Sequence, residues 1–327
     1  MTVTEARGLI SIKDVESAAE SIAGHVVRTP TVPSPGLTEL LGAPVTAKLE
    51  LLQRTGSFKV RGATTKLLAL SESERAAGVV AVSGGNHGIA LAVMAGALHI
   101  KATVVMPRSA PTRAVDVAER AGATVRLTDD MAGAFALMTE LQASGLTLVH
   151  PFDDPAVIAG QGTVGQEFAD DASELTDVLV SIGGGGLIAG VAAALRARRP
   201  DVRIWGVETR GAEAMSQALA AGGPVPVELS SVVSTLSAPS VSQLTYDHVS
   251  TLVTGVLVVS DAEAVQGTLD LANHAKVWAE PATGCLVPAA RQVLERVGAG
   301  AALGIVLCGG NATTADVATW ANRFALS

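Results

Sequence analysis

Lys59 lies in the stretch Thr55-Gly56-Ser57-Phe58-Lys59-Val60-Arg61-Gly62-Ala63, between an aromatic ring and a helix-forming run. Gly56 permits a tight turn and Ser57 is a good N-cap. The spacing therefore predicts the lysine in the first turn of a helix that runs through Leu67, Leu68 and Leu70. A first-turn cation faces the positive end of the helix dipole, which lowers the amine's pKa, as an imine-forming lysine requires. A solvated lysine after a turn is the plain alternative, and this stretch alone does not choose between them.

Three glycine-rich segments bear on the choice. Ser181-Ile182-Gly183-Gly184-Gly185-Gly186-Leu187 falls between a strand-like and a helix-like run, so its amide N–H groups gather at a helix N-terminus and make an anion site suited to phosphate. Gly184, Gly186 and Ala189 fit G-x-G-x-x-G/A and the next strand ends at Glu208, so a dinucleotide-binding oxidoreductase is one reading. No Gly-Lys-Ser/Thr follows, which excludes a P-loop; tight strand-to-helix packing is the structural alternative. In Ser83-Gly84-Gly85-Asn86-His87-Gly88 the glycines let a backbone approach a ligand, and Ser83 and Asn86 add donors for a carboxylate or a phenolic oxygen. It could equally be a capped turn. Leu307-Cys308-Gly309-Gly310-Asn311 stands at the end of the last strand, where α/β sheets place ligand contacts; a buried Cys308 is otherwise a small core residue.

An alternating α/β chain must position these segments. Strand patterns occur at 45–49, 79–82, 103–106, 124–127 and 146–149, with helix patterns at 89–97, 114–121 and 132–141 between them. Ser11-Ile12-Lys13-Asp14 reads as a capped helix start with Val15, Ala18, Ala19 and Ile22 on one face and Gly24 as its stop. His150-Pro151-Phe152-Asp153-Asp154-Pro155 reads as a loop crossing between domains. A second run follows: helix 156–168, strand 178–182, helix 187–197 and strand 203–207. After the poorly patterned 222–246 come strand 252–259, helix 262–275 and strand 305–307.

Composition limits the partners. Lys plus Arg total 23 against 31 for Asp plus Glu, a net charge of −8, and no basic block beyond Arg196 to Arg199 is present, so no nucleic-acid partner is expected. The longest apolar runs fall short of the roughly 20 residues that cross a bilayer. Residues 1–8 are polar and lack a signal-peptide pattern. Two cysteines with no Cys/His spacing for zinc fit a reducing, cytoplasmic setting. Hydrophobic content of 48% with 3% aromatic residues fits aliphatic helices packed on parallel strands.

Taken in order, Ser57-Phe58-Lys59 with Arg61-Gly62-Ala63, Ser83 to Gly88, the tetraglycine loop and Gly309-Gly310-Asn311 resemble the fold-type-II pyridoxal-phosphate enzymes, in particular the threonine dehydratase and serine racemase group. Ala159-Gly160-Gln161-Gly162-Thr163 and Glu280-Pro281-Ala282 are similar to that group too, so the resemblance spans about residues 14–311. It implies a tryptophan synthase β-like α/β fold of two domains, each a largely parallel sheet flanked by helices. Residues 1–75 and 152–327 would form the large cofactor domain and 76–151 a small domain that closes over substrate.

The resemblance also implies roles. Lys59 forms the imine with pyridoxal 5'-phosphate, Phe58 lies against its ring, Asn86 bonds the ring hydroxyl, Gly183, Gly184, Gly185, Gly186 and Leu187 hold the phosphate, and Cys308 faces the ring nitrogen. Ser83, Gly84, Gly85, Asn86 and His87 would receive the substrate carboxylate, with Lys59 and Ser83 as the catalytic pair. The implied activity is an ammonia-lyase, or dehydratase, taking a 3-hydroxy-L-amino acid to a 2-oxo acid and ammonia in a homodimer or homotetramer. Racemases and β-replacement enzymes share the fold.

Departures from the group sharpen these expectations. Gly84 stands where the racemases have the serine that serves the second substrate face, which favours elimination. A thiol at Cys308 is a weak donor and leaves the ring nitrogen largely unprotonated. Thr235-Leu236-Ser237-Ala238-Pro239 replaces a Thr-Ile-Ala-Asp-Gly segment, so a substrate larger or more apolar than serine is expected. Glu208 is the one candidate metal ligand. Ala214 stands where the group has a second carboxylate, so the expectation leans against a divalent or monovalent cation, and a strand-end residue with a structural partner is the other reading of Glu208. No room follows residue 311 for the regulatory domain of biosynthetic threonine dehydratases.

Overall fold

The computed structural model describes residues 8–326. Among the described residues ten strands form two sheets: β1 Thr31–Pro33, β2 Val45–Lys48, β3 Val79–Val82, β4 Ala102–Pro107, β5 Thr124–Thr128, β6 Thr147–Leu148, β7 Asp177–Ser181, β8 Arg203–Thr209, β9 Gly255–Val259 and β10 Leu303–Val306. The six-stranded sheet has the order β1-β2-β10-β7-β8-β9 and the four-stranded sheet β5-β4-β3-β6. Every pairing is parallel except β1 with β2. Strands β2, β3, β7 and β10 are buried along their whole length, as parallel strands covered by helices on both faces must be.

The largest apolar cluster surrounds the six-stranded sheet, with Phe168, Leu179, Ile204 and Ile305 at its centre. A second cluster joins the four-stranded sheet to the Lys59–Leu68 helix through Val60, Ala63, Leu67, Val79 and Leu91. That helix packs on both the Asn86–Ala97 helix and the Pro155–Asp171 helix, so it touches structure belonging to each sheet. It can do so because Gly62 meets Gly160: a Cβ on Gly160 would lie 2.7 Å from the Gly62 Cα. The chain passes between the sheets at 149–154, where Asp154 caps the Pro155–Asp171 helix from its Oδ1.

Most expected elements are present within a few residues, including the Ser11–Asp14 capping box. Two readings need correction. Ser57 is not an N-cap: a β-bridge ties it to Gly309, the helix opens one residue later at Phe58, and the Ser57 hydroxyl has no partner. The strand expected from 252 begins at Gly255, because Leu252 ends a helix, Gln243–Leu252. That helix is built mostly of poor helix formers and opens on a Ser242–Thr245 capping box, with threonine where glutamate usually signals one. Helices Ala214–Ala221, Leu286–Val297 and Thr314–Arg323 add to the expected set. The polar reading of the N-terminus falls on residues 1–8, of which 1–7 lie outside those described. No helix among the described residues is long and apolar enough to cross a membrane.

Candidate active site

A cavity of about 530 Å³ opens between the two sheets, at the C-terminal ends of β3, β7 and β10. It gathers Phe58, Lys59, Ser83, Gly84, Gly85, Asn86, His87, Gly183, Gly184, Gly185, Gly186, Leu187 and Cys308 in its walls, so all the residues expected from sequence except Glu208 meet there. The backbone explains how. Phe58 N donates to Cys308 O at 3.0 Å and Gly310 N to Gly56 O at 2.9 Å, so the lysine segment is stitched to the end of β10.

Lys59 is half-buried, opening onto the cavity, and its Nζ donates to the Pro151 carbonyl at 2.9 Å. Burial lowers its pKa from 10.5 to about 8, with Cys308 and Glu280 opposing the shift. Among the described residues no carboxylate pairs with it within 4 Å to restore the ordinary value. The helix that carries it is anchored through Arg61, fully buried between Glu50 and Glu167.

On the opposite side, Gly185 has φ +93° and caps the Gly186–Arg198 helix, so the chain turns there in a conformation that suits glycine. No acceptor among the described residues takes the amide hydrogens of residues 183 to 187. Five unspent N–H groups at the start of a 13-residue helix form an anion cradle. Glycine has a second cause at 184, where a Cβ would strike the Phe152 ring at 2.1 Å. Close packing therefore accounts for Gly184, beside the unspent amides.

Asn86 opens the Asn86–Ala97 helix and is buried. Its Nδ2 donates to Glu280 at 2.8 Å, and its Oδ1 accepts from Asn311 Nδ2 at 2.7 Å. Burial pushes the Glu280 carboxyl up to about 7, against the hydrogen bond from Asn86. Ser83 Oγ accepts from Gly85 N at 3.2 Å. His87 lies in the cavity wall, with its Nε2 spent on the Val149 carbonyl at 2.8 Å and its Nδ1 buried without a partner. Burial, with Lys59 nearby, lowers its pKa to about 3, so the ring is neutral.

Cys308 is buried, and burial pushes its thiol up to about 11. The hydroxyl of Ser181 gives its hydrogen to Ala282 O at 2.6 Å, and that of Thr283 to Gly309 O at 2.8 Å. Neither neighbour can then donate to the sulfur, so with burial and Glu280 raising its pKa Cys308 carries its own hydrogen.

Glu208 is buried outside the cavity. It accepts from Met215 N at 2.7 Å, Ser216 N at 2.9 Å and Ser216 Oγ at 2.7 Å, so it caps the Ala214–Ala221 helix. Neither a cation nor a dinucleotide ribose finds a free carboxylate there. Among the described residues no cluster of three or more His, Cys, Asp or Glu could hold a metal ion.

Sequence reasoning gave no role to Glu280, Arg113 or Phe152, which also line the cavity. Glu280 had a signal, since it directly precedes Pro281 at a helix start. Arg113 had none; it sits between Thr112 and Ala114 with no motif around it.

The chain matches the family described as pyridoxal-phosphate dependent enzyme over residues 22–309. It is 38% identical to the L-threonine ammonia-lyase of Thermotoga maritima, over 93% of this chain and 76% of that protein. It is 35% identical to the phenylserine dehydratase of Ralstonia pickettii over 100% of both chains. The solved structure of maize serine racemase is similar with a TM-score of 0.89 at 31% identity, covering 96% of this chain and 97% of that one.

Proposed function

This chain belongs to the family of pyridoxal-phosphate-dependent enzymes, and we propose that it is an ammonia-lyase converting a 3-hydroxy-L-amino acid to a 2-oxo acid and ammonia. One observation carries the reading: a lysine with its pKa lowered to about 8 faces an unspent anion cradle across a single cavity.

The residues present fit the cofactor. The five amides of 183–187 suit its phosphate, Phe58 its ring face, the second Asn86 Nδ2 hydrogen its ring oxygen and Cys308 its ring nitrogen. Bound at Lys59, pyridoxal phosphate supplies an electron sink for the charge that develops when the substrate Cα–H bond breaks. Ser83 and the backbone amides of Gly84, Asn86 and His87, none of which has an acceptor among the described residues, hold the substrate carboxylate. The freed Lys59 amine takes the Cα proton; its lowered pKa keeps part of it neutral at pH 7–8, as a general base requires. Cys308 restrains the sink, because a neutral thiol cannot protonate the ring nitrogen, and prompt loss of the Cβ hydroxyl is favoured. In the net reaction the Cα–H, Cβ–O and C–N bonds break, and the water lost at Cβ is regained when ammonia leaves.

Racemisation needs a second acid/base on the other substrate face. Gly84 offers no hydroxyl, and a Cβ there would lie 2.8 Å from the Ala110 Cβ. The wall formed by Val232, Val233, Leu236 and Ala238 supports a substrate with a larger or more apolar side chain than serine. The phenylserine dehydratase relative, alike over its full length, supports the same choice. In this reading residues 76–151 close on the cavity as the small domain, and the enzyme works in the cytoplasm as a homodimer or homotetramer.

The test is the visible spectrum of the purified protein and of Lys59→Ala, before and after borohydride reduction, followed by turnover of threonine, serine, 3-hydroxyaspartate and phenylserine. A cofactor band that borohydride removes and fixes to Lys59, with phenylserine or threonine preferred, is expected. A protein that cannot be loaded with pyridoxal phosphate sinks the reading, and equal turnover of all four sinks the substrate preference.

A further inference from the structure

The side chains of Arg113, Asn311, Asn86 and Glu280 form a hydrogen-bonded row along the cavity, and its direction follows from donor chemistry alone. Arg113 carries only donors, so its Nη2 meets the Asn311 amide at the oxygen, 2.8 Å away. The Thr55 carbonyl only accepts, so the atom 2.8 Å from it is Asn311 Nδ2. The other hydrogen of that Nδ2 goes to Asn86 Oδ1 at 2.7 Å. Asn86 must then present its Nδ2 to Glu280, 2.8 Å away, with one hydrogen left over. An inverted Asn86 would set its NH2 against that of Asn311 and its oxygen against a carboxylate.

The row also crosses the cleft at every link. Arg113, on the Thr112–Arg120 helix, and Asn86 stand on the side of the four-stranded sheet. Asn311 follows β10, and Glu280 precedes the Pro281–Gly284 helix on the other side. Arg113 itself is exposed at the mouth of the cavity, and Asn311 is its hydrogen-bond partner there.

Resting on the cofactor reading above, we propose that Arg113 is a positioning residue. Through Asn311 it holds the Asn86 amide in the one orientation that leaves an N–H for an acceptor oxygen on the cofactor ring, and it fastens the mouth of the cleft.

Cofactor-free wild type, Arg113→Met, Arg113→Lys and Asn311→Asp are titrated with pyridoxal phosphate by visible absorbance, with circular dichroism to verify folding. Arg113→Met should bind about fivefold more weakly, the upper end of what an exposed charge-assisted hydrogen bond contributes, with Arg113→Lys between it and wild type. Asn311→Asp separates orientation from mere fastening. It keeps an acceptor for Arg113 and turns the link into an ion pair, yet it cannot donate to Thr55 or Asn86. Binding at least tenfold weaker in this variant supports the proposal. Wild-type affinity in Arg113→Met or in Asn311→Asp overturns it while leaving the ammonia-lyase reading intact. A wild type that takes up no pyridoxal phosphate overturns both.

Discussion

Replacing Arg61 by methionine should destabilise the protein by about 3 kcal/mol, and the structure shows why the cost is neither smaller nor larger. Arg61 and Glu50 are both 0% exposed. The guanidinium donates to both oxygens of Glu50 at 2.8 Å, to those of Glu167 at 2.7 and 2.9 Å, and to Thr163 at 3.0 Å. Without it Glu167 keeps its ion pair with Lys48 at 2.6 Å, while among the described residues Glu50 keeps one hydrogen-bond donor, the Thr29 hydroxyl, and a more distant Lys48. Breaking a buried pair from one side costs roughly 3–5 kcal/mol, because a charge is left without compensation. One stranded carboxylate rather than two puts the loss at the low end of that range. The double variant Glu50→Gln, Arg61→Met removes the stranded charge and should recover more than half of the loss. Urea unfolding of the cofactor-free protein measures both. A loss below about 1 kcal/mol for Arg61→Met, or no recovery in the double variant, would refute the assignment of Arg61 as the buried anchor of the lysine helix.

Further outcomes follow from the same site. Lys59 has a native pKa of about 8 against 10.5 unfolded, so between these values the unfolded chain holds a proton the native amine has released. Stability of the cofactor-free protein should therefore rise with pH across that window, and Lys59→Met should flatten the rise. Glu280 runs the other way. Its native pKa of about 7 exceeds the unfolded 4.5, so its contribution is fully present below pH 4.5 and is lost as pH rises to 7; Glu280→Gln should remove that slope in thermal unfolding. Gly84→Ser should raise racemisation of a serine substrate only slightly, because its Cβ presses on Ala110 at 2.8 Å. Gly84→Ser with Ala110→Gly should raise it further, and chiral chromatography showing unchanged product ratios in both would count against the account of the two faces.

The candidate site was legible where chemistry is local. A lysine two residues before a buried arginine, a run of glycines at a strand-to-helix junction and a Ser-Gly-Gly-Asn turn each declare a backbone shape within six or seven residues. For His87, sequence shows a ring beside a ligand loop but not the Val149 carbonyl that takes its Nε2. Ser57 was misread because a β-bridge to Gly309 overrides its N-cap preference. Glu208 was open to both a metal and a structural role in the sequence, and the structural one is occupied: the Ala214–Ala221 helix begins on its carboxylate.

Sequence alone determined the alternation of strands and helices, the place of Lys59 in a first turn and the glycine turn that opens a helix at Gly183 to Leu187, since periodicity, capping and helix termini act over a few residues. Tertiary structure alone decided that β10 inserts between β2 and β7, which brings Cys308 to the lysine. It also decided that Asn86 is shared between Glu280, 194 residues away, and Asn311, 225 away. Such pairings depend on which buried polar groups meet once the apolar surfaces have closed, and a buried amide or carboxylate takes whatever complementary partner the packing puts within reach.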